Sequence, residues 1–405
     1  MARTNGAAPP CEGLRVLDFT SVVSGPFCTQ ILADYGADVI KFEGLRGDMS
    51  RSTSGPFHAG LSGFFSQFNR NKRSIVLNFK EQSGVQAMKT LVKDADIVIE
   101  NYRTGTMARL GLGYEDLKNI NPGIIYCSIS GFGRTGPYAN RGGFDLVAQG
   151  MSGLMSITGV PDSPPVKVGV PIADMNAGMF ATYGILTAYI NKLRTKKGQY
   201  LEISLLEAAI AYTVWESAGY FATGDIAEPL GSSHRNSAPY QALKTKDGHI
   251  NVGAPNQSNW ERFANAIERS DLVTRNEFKD NASRLVNRES LERELELTLT
   301  TKNSSEWLEV LEKSGVPAGP ILNISEVWND PQVDARNMKV TLDHPTAGKI
   351  TNIGLAAKLY STPGRITKPA PLLGEHTREI LVDAGYSKKN IEDLIDSGAA
   401  VTNDS

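Results

Sequence analysis

Apolar positions in the first half of the chain fall into short continuous runs, each followed by a segment with helical spacing. Residues 14–19 (LRVLDF) read as a strand, 21–26 as a turn, and 27–35 as a helix closed by Gly36. Residues 38–43 (DVIKFE) read as the next strand. That completes a β-α-β unit of the usual size, and such units build parallel sheets. The pattern repeats, with strands over 74–79, 96–100 and 124–129 and helices over 84–93 and 114–120. This half is predicted to be a doubly wound, Rossmann-like α/β domain whose site lies at the carboxyl ends of the strands.

Residues 179–190 (MFATYGILTAYI) are too long and too Ala/Leu-rich for a strand and apolar almost all round, which predicts a buried helix. Asp174 stands at or beside its N-terminus, where unpaired N–H groups and the helix dipole favour a carboxylate. Taken alone, such an aspartate reads as a cap. Residues 199–204 read as a further strand, and a new helix starts at Leu205.

The pattern changes near Gly224. Alternating residues 240–244 and 249–252 flank Lys246-Asp247-Gly248, a hairpin signal. Amphipathic helices follow over 260–267, 290–299 and 306–313, the last opened by Asn303 and Glu306 at capping-box spacing. Short strands return over 339–342 and 349–353, and a helix over 378–384. The expected organisation is a flexible leader (1–12), a large α/β domain (13–224), a small α+β domain (225–329) and a return segment (330–405) that completes the large domain.

The chain has 405 residues, which suits two domains. Its 42 Lys+Arg against 44 Asp+Glu leave a net charge of −2, so no general pull toward nucleic acid or membrane is expected. No stretch approaches the length of a membrane span. Cys11, Cys28 and Cys127 are scattered, and the five histidines are equally dispersed, so neither a disulfide framework nor a metal site is expected. A reducing compartment fits, cytoplasmic by default, with mitochondrial import also compatible. The leader carries Arg3 but has no apolar core of a secretory signal.

Three features bear on chemistry. The first turn, Ser21-Val22-Val23-Ser24-Gly25-Pro26, lacks the G-x-G-x-x-G glycines, which argues against a nicotinamide enzyme and leaves Glu43 as a solvated strand end. Between Asp48 and Arg73 the chain is Gly/Ser-rich and carries Arg51, Arg70, Lys72 and Arg73. That reads as a solvated loop or, functionally, as a phosphate-binding patch. Residues 131–138, glycine-rich, read as a linker or a lid.

In order along the chain, Gly13 to Phe19, Ser24-Gly25-Pro26, Gly36 to Glu43, Gly47 to Arg51, Asn71 to Ile75, Glu100-Asn101-Tyr102, Gly113-Tyr114, Ile172-Ala173-Asp174, Ser314 to Pro320 and Pro371 to Thr377 resemble the class III CoA-transferases, the formyl-CoA transferase type. Each motif is weak alone; the ordered set is specific and runs from Gly13 to Leu381. The resemblance implies that Asp174 is a nucleophile. It implies CoA contacts at Val23, Ser24, Leu77, Asn78, Lys80, Asn101, Tyr102, Arg103, Arg109 and Asp145. Formyl-CoA transferase has an arginine directly after the second strand's glutamate where this chain has Gly44, and Arg46 is the substitute. The resemblance further implies an interlocked homodimer, coenzyme A or acyl-CoA as co-substrate, and no tightly bound cofactor.

The chemistry suits the residue. An aspartate can exchange CoA through a mixed anhydride and an aspartyl thioester, provided that it is ionised and water is kept out. The alternatives are a 2-methylacyl-CoA racemase, which resembles the same family but uses a His/Asp proton-transfer pair, and a non-enzymatic CoA-binding module. Phe144 stands where the racemase histidine falls, and phenylalanine moves no proton. The hairpin at 244–248, Gly153-Leu154-Met155 and Tyr126 to Ile129 look most like the dicarboxylate branch, that of succinyl-CoA–glutarate CoA-transferases. His234-Arg235 and Arg51 are the candidates for a distal carboxylate.

Overall fold

A computed structural model describes residues 7–53 and 55–403. Contacts cluster into two compact units. One comprises residues 1–154, 167–218 and 331–405; the other comprises 155–166 and 219–330. The segment 155–166, expected within the large domain, clusters with the smaller unit instead.

The larger unit is built on strands β1 (Arg15–Phe19), β2 (Asp38–Glu43), β3 (Arg73–Leu77), β4 (Ile97–Glu100), β5 (Ile125–Ser130) and β6 (Tyr200–Ser204). They lie parallel in the order β3-β2-β1-β4-β5-β6, and the C-terminal strand Ala400–Val401 adds antiparallel beside β3. This is the doubly wound order, with its topological switch between β1 and β4, where Phe19 pairs Glu100. Helices cover both faces, so β1 to β5 read as near-continuous apolar runs and pack into one core with Met88, Leu91, Leu117 and Ile380. The exceptions are charged. Asp18 and Lys41 are paired in register on β1 and β2, and both are fully buried.

The smaller unit holds an antiparallel sheet of β7 (Tyr240–Lys244), β8 (His249–Gly253) and β9 (Ala318–Pro320). On β8 burial alternates, with Ile250 and Val252 inward and Asn251 outward, so one face meets the helices through Trp260, Phe263, Leu295 and Trp307. Asn303 and Glu306 form the expected capping box.

Several expectations need correction. Of the leader, residues 1–6 lie outside the described residues, but Cys11 is buried and its N–H donates to the Tyr35 carbonyl, so 7–12 pack onto the fold. Within 48–73, read as a solvated loop, a hairpin (Phe57–His58 with Leu61–Ser62) leads into a helix Gly63–Asn69. Its cations are absorbed by the fold. Arg51 donates from Nε and Nη2 to the two oxygens of Glu43, Arg70 pairs with Asp34, Lys72 with Asp18, and Arg73 with Asp38, Glu379 and Asp383. Glu43 is accordingly 3% exposed and not solvated. The phosphate-patch reading fails because each of these cations already has a carboxylate.

The glycine-rich loop at 131–138 is pinned. Arg134 donates to Glu100 (2.8 Å), the Ser128 hydroxyl (2.6 Å) and the Tyr102 carbonyl (3.0 Å), while Gly131 lies so close to Gly143 that a Cβ would meet its Cα at 2.7 Å. No helix is long and apolar enough to cross a membrane among the described residues.

Candidate active site

Three helices shape the carboxyl end of the sheet: α1 (Ser24–Asp34), α2 (Asp145–Met151) and α3 (Ile172–Thr195). The buried face of α3 is made of small residues, Ala173, Ala177, Gly178, Ala181 and Ala188 among them, so its neighbours come close. A Cβ at Gly178 would stand 2.6 Å from the Ser24 carbonyl. Gly178 is one turn beyond Asp174, so this close approach sets the first residue of α1 against the Asp174 carboxyl. Large apolar residues of α3, including Met179, Tyr183, Ile190 and Leu193, are exposed, which corrects the reading of a helix buried all round.

The turn between β1 and α1 is held from beneath. Lys41 Nζ donates to the Thr20 carbonyl and to Asp48, both at 2.9 Å. Lys72 Nζ donates to Asp18 (3.1 Å), the Pro26 carbonyl (3.0 Å) and Asn69 (3.0 Å). Asn101, across the switch point, clasps Ser21 by both its N–H (3.0 Å) and its C=O (2.8 Å). Val22 is thereby held at φ +70°, a conformation costly for a β-branched residue. Burial pushes the Lys72 ammonium down to about 8 although Asp18 opposes it, and Lys41 holds Asp48 at about 2 against the upward pull of burial.

Asp174 is the third residue of α3, but it does not cap it. Asp145 does: its Oδ1 accepts the N–H groups of Ala173 (2.8 Å) and Asp174 (3.3 Å). The N-terminal donors that were expected to secure Asp174 as an anion are thus spent on Asp145. Burial pushes the Asp174 carboxyl up to about 7, the negative charge of Asp145 adds to this, and a hydrogen bond with the Ser24 side chain offsets part of it. Among the described residues no ion pair involves Asp174. The result is a partly accessible carboxylate beside another carboxylate, at a pKa where it is half ionised near neutrality and little stabilised by partners. Such a group is suited to covalent attack.

The other expected residues follow the ends of successive strands. Val23 and Ser24 follow β1, Arg46 follows β2, Asn78 and Lys80 follow β3, and Asn101, Tyr102, Arg103 and Arg109 follow β4. Of these, Arg46, Lys80, Arg103 and Arg109 are exposed, with charges available to a phosphorylated ligand, although Arg109 also donates to the Thr106 hydroxyl. Val23 is buried, so only its main chain is available. Leu77 is 0% exposed in the sheet core, paired on its far side with Ala400, so its side chain is not a contact. Asn78 donates its N–H to Ala399 and accepts from the Lys80 N–H. It directly follows β3, the strand two positions from β1 and roughly 10 Å from it. Phe144, next to Asp145, is 75% exposed and carries no titratable group.

Sequence reasoning did not anticipate the Lys41/Lys72 clamp or Gln149, which hydrogen-bonds Asp145 from one helical turn away. The spacing Asp145–Gln149 was visible, but i, i+4 pairs are common on helices.

Residues 11–377 match the CoA-transferase family III. The chain is 39% identical over 391 residues to the succinyl-CoA:glutarate CoA-transferase of Mus musculus, covering 96% of this chain and 90% of that one. It is 37% identical over 383 residues to the succinate–glutarate CoA-transferase of Agrobacterium fabrum, covering 93% and 96%. The crystal structure of a CaiB/BaiF family protein from Brucella suis superposes with a TM-score of 0.84 at 36% identity, covering 93% of this chain and 100% of that one. A doubly wound sheet, an aspartate presented at its carboxyl end and this likeness over nearly the full length agree, and the chain is an enzyme that belongs to the CoA-transferase family III.

Proposed function

We propose that the enzyme transfers CoA from succinyl-CoA to a dicarboxylic acid of the glutarate class, with Asp174 as the covalent nucleophile. The observation that supports this most directly is the Asp174 carboxyl itself, held by the Ser24 side chain, beside Asp145 and with a pKa of about 7. An Asp174 oxygen attacks the thioester carbonyl, the C–S bond breaks, and a succinyl–aspartyl anhydride and the CoA thiolate result. The thiolate attacks the aspartyl carbonyl and releases succinate, leaving an aspartyl-CoA thioester. The acceptor carboxylate displaces the thiolate to form a second anhydride. The thiolate then takes the acceptor acyl group, regenerating the Asp174 carboxylate. Backbone N–H groups of Val23, Ser24 and Gly25 are candidate donors to the tetrahedral oxyanions, since those at the start of α3 are taken by Asp145. The relatives named for succinate and glutarate exchange support the substrate class.

Val23 and Ser24, by their main chain, with Asn101, Tyr102, Arg103, Arg109, Arg46, Asn78, Lys80 and Asp145, form the proposed CoA path along the strand ends. Arg51 is set aside as the anchor of the distal carboxylate, since Glu43 and the Pro371 carbonyl occupy its donors. An interlocked homodimer is also proposed. It would cover the apolar face of α3 and the helix Val214–Thr223, where Phe221 is 82% exposed. Sedimentation at a monomer mass would remove it.

The test of the mechanism is intact-protein mass after mixing with succinyl-CoA, with hydroxylamine trapping. An adduct on the wild type and none on Asp174→Ala is expected. Unchanged CoA exchange by Asp174→Ala would overturn the covalent route.

A further inference from the structure

Gln149 is fully buried (0% exposed), yet it sits among polar groups that all belong to the approach to Asp174. Its Nε2 donates to Asp145 Oδ2 at 2.6 Å and lies 3.5 Å from the Val170 carbonyl, while its Oε1 accepts the Val168 N–H at 2.9 Å. Asp145 uses its other oxygen on the N–H groups of Ala173 and Asp174. The bonds close a ring that runs from Gln149 to Asp145, to the first turn of α3, back along 168–170, and to Gln149 again.

Each part of the ring does something separate. The bond to Asp145 stops that carboxylate from turning away from the helix end. The bonds to Val168 and Val170 fix the segment from which α3 starts, and hence where its third residue points. A buried amide whose task were only to fill space could be replaced by leucine at little cost, since the volumes are similar. Here leucine would leave the Val168 N–H and one Asp145 oxygen without their partner. We infer that Gln149 is a positioning residue of the transferase site, setting through Asp145 both the orientation and the acidity at which Asp174 works. This rests on the reading of Asp174 as nucleophile. The groups that act on the Asp174 carboxyl are Asp145 from α2 and Ser24 from α1.

The experiment compares wild type, Gln149→Leu and Gln149→Glu by steady-state CoA exchange and by adduct formation across pH 5 to 9, after thermal unfolding has established that each variant is folded. Gln149→Leu is expected to lower kcat about tenfold with KM for the acyl-CoA within about threefold, because misplacement acts on the reacting geometry. It is also expected to move the midpoint of the pH profile down by about one unit, since an Asp145 free to turn away repels the Asp174 charge less. Gln149→Glu can donate to Asp145 only while protonated, so its activity should approach wild type at the acidic end and fall away as pH rises. A folded Gln149→Leu with the wild-type midpoint and kcat overturns the inference, and so does a fall in kcat with no movement of either variant's profile. If no adduct forms on the wild type, the covalent reading fails separately, and the exchange profiles still decide the role of Gln149.

Discussion

Two clusters of charge in the larger unit are built on opposite rules. Beneath the 20–26 turn, the carboxylates Asp18, Glu43 and Asp48 are matched by the cations Lys72, Arg51 and Lys41, one to each. Beside α3, Asp145 and Asp174 share a sign, and no cation is paired with either among the described residues. The first cluster costs desolvation and recovers it in Coulomb attraction and hydrogen bonds. The second leaves the cost outstanding on one side chain. Balanced charge supports the turn; unbalanced charge marks the residue that reacts.

The contrast can be broken most severely at its reactive end. Asp174→Ala should lower CoA exchange by roughly a thousandfold or more, as loss of a covalent nucleophile does. Steady-state assay of the folded variant reads this directly. At the balanced end, Lys72→Met leaves Asp18 buried without its nearest cation and should destabilise the fold by about 3–5 kcal/mol, seen as a lower midpoint in urea.

The two clusters should also respond to pH with opposite signs. Asp174 has a folded pKa raised to about 7, so its contribution is intact below about pH 4 and is lost as pH rises to 7. Asp174→Asn should therefore gain about 2–4 kcal/mol over wild type above pH 7, with the gap closing toward pH 4. Asp48 is held at about 2, so its contribution is present above about pH 4 and is lost as pH falls toward 2. Asp48→Asn should lose about 2 kcal/mol at pH 7 and converge with wild type in acid. Denaturant midpoints across pH test both, and parallel curves would show that the clusters do not differ as described. The smallest effect is expected at the exposed cations. Arg46→Gln or Arg103→Gln should raise KM for the acyl-CoA about threefold at low salt, and less at high salt.

Much of this was legible in the chain. The strand and helix order followed from apolar runs, and the doubly wound class followed from that order. Asp174 stood out because an apolar helix begins around it and the ordered motifs single it out. The basic stretch at 51–73 was misread because composition reports charges without partners. Asp18, Asp34, Asp38, Glu43, Glu379 and Asp383, which neutralise it, lie on other elements, up to 310 residues away in the case of Arg73 and Asp383. The glycine-rich segment at 131–138 was read as a linker or a lid for the same reason, since the anchors of its Arg134, Glu100 and Ser128, come from two neighbouring strands.

What the sequence determined by itself is therefore periodic and local: which segments are strands, which are helices, where turns fall, and which carboxylate opens α3. Tertiary structure alone decided the state of each charge. Asp145 reaches the N–H of Asp174 across 29 residues, and Lys72 reaches Asp18 across 54. The physical reason is that local propensity acts over a few residues of chain, whereas desolvation and Coulomb attraction act through space. Whether an aspartate caps, pairs or attacks is settled only by which strand ends and helix starts the fold brings together.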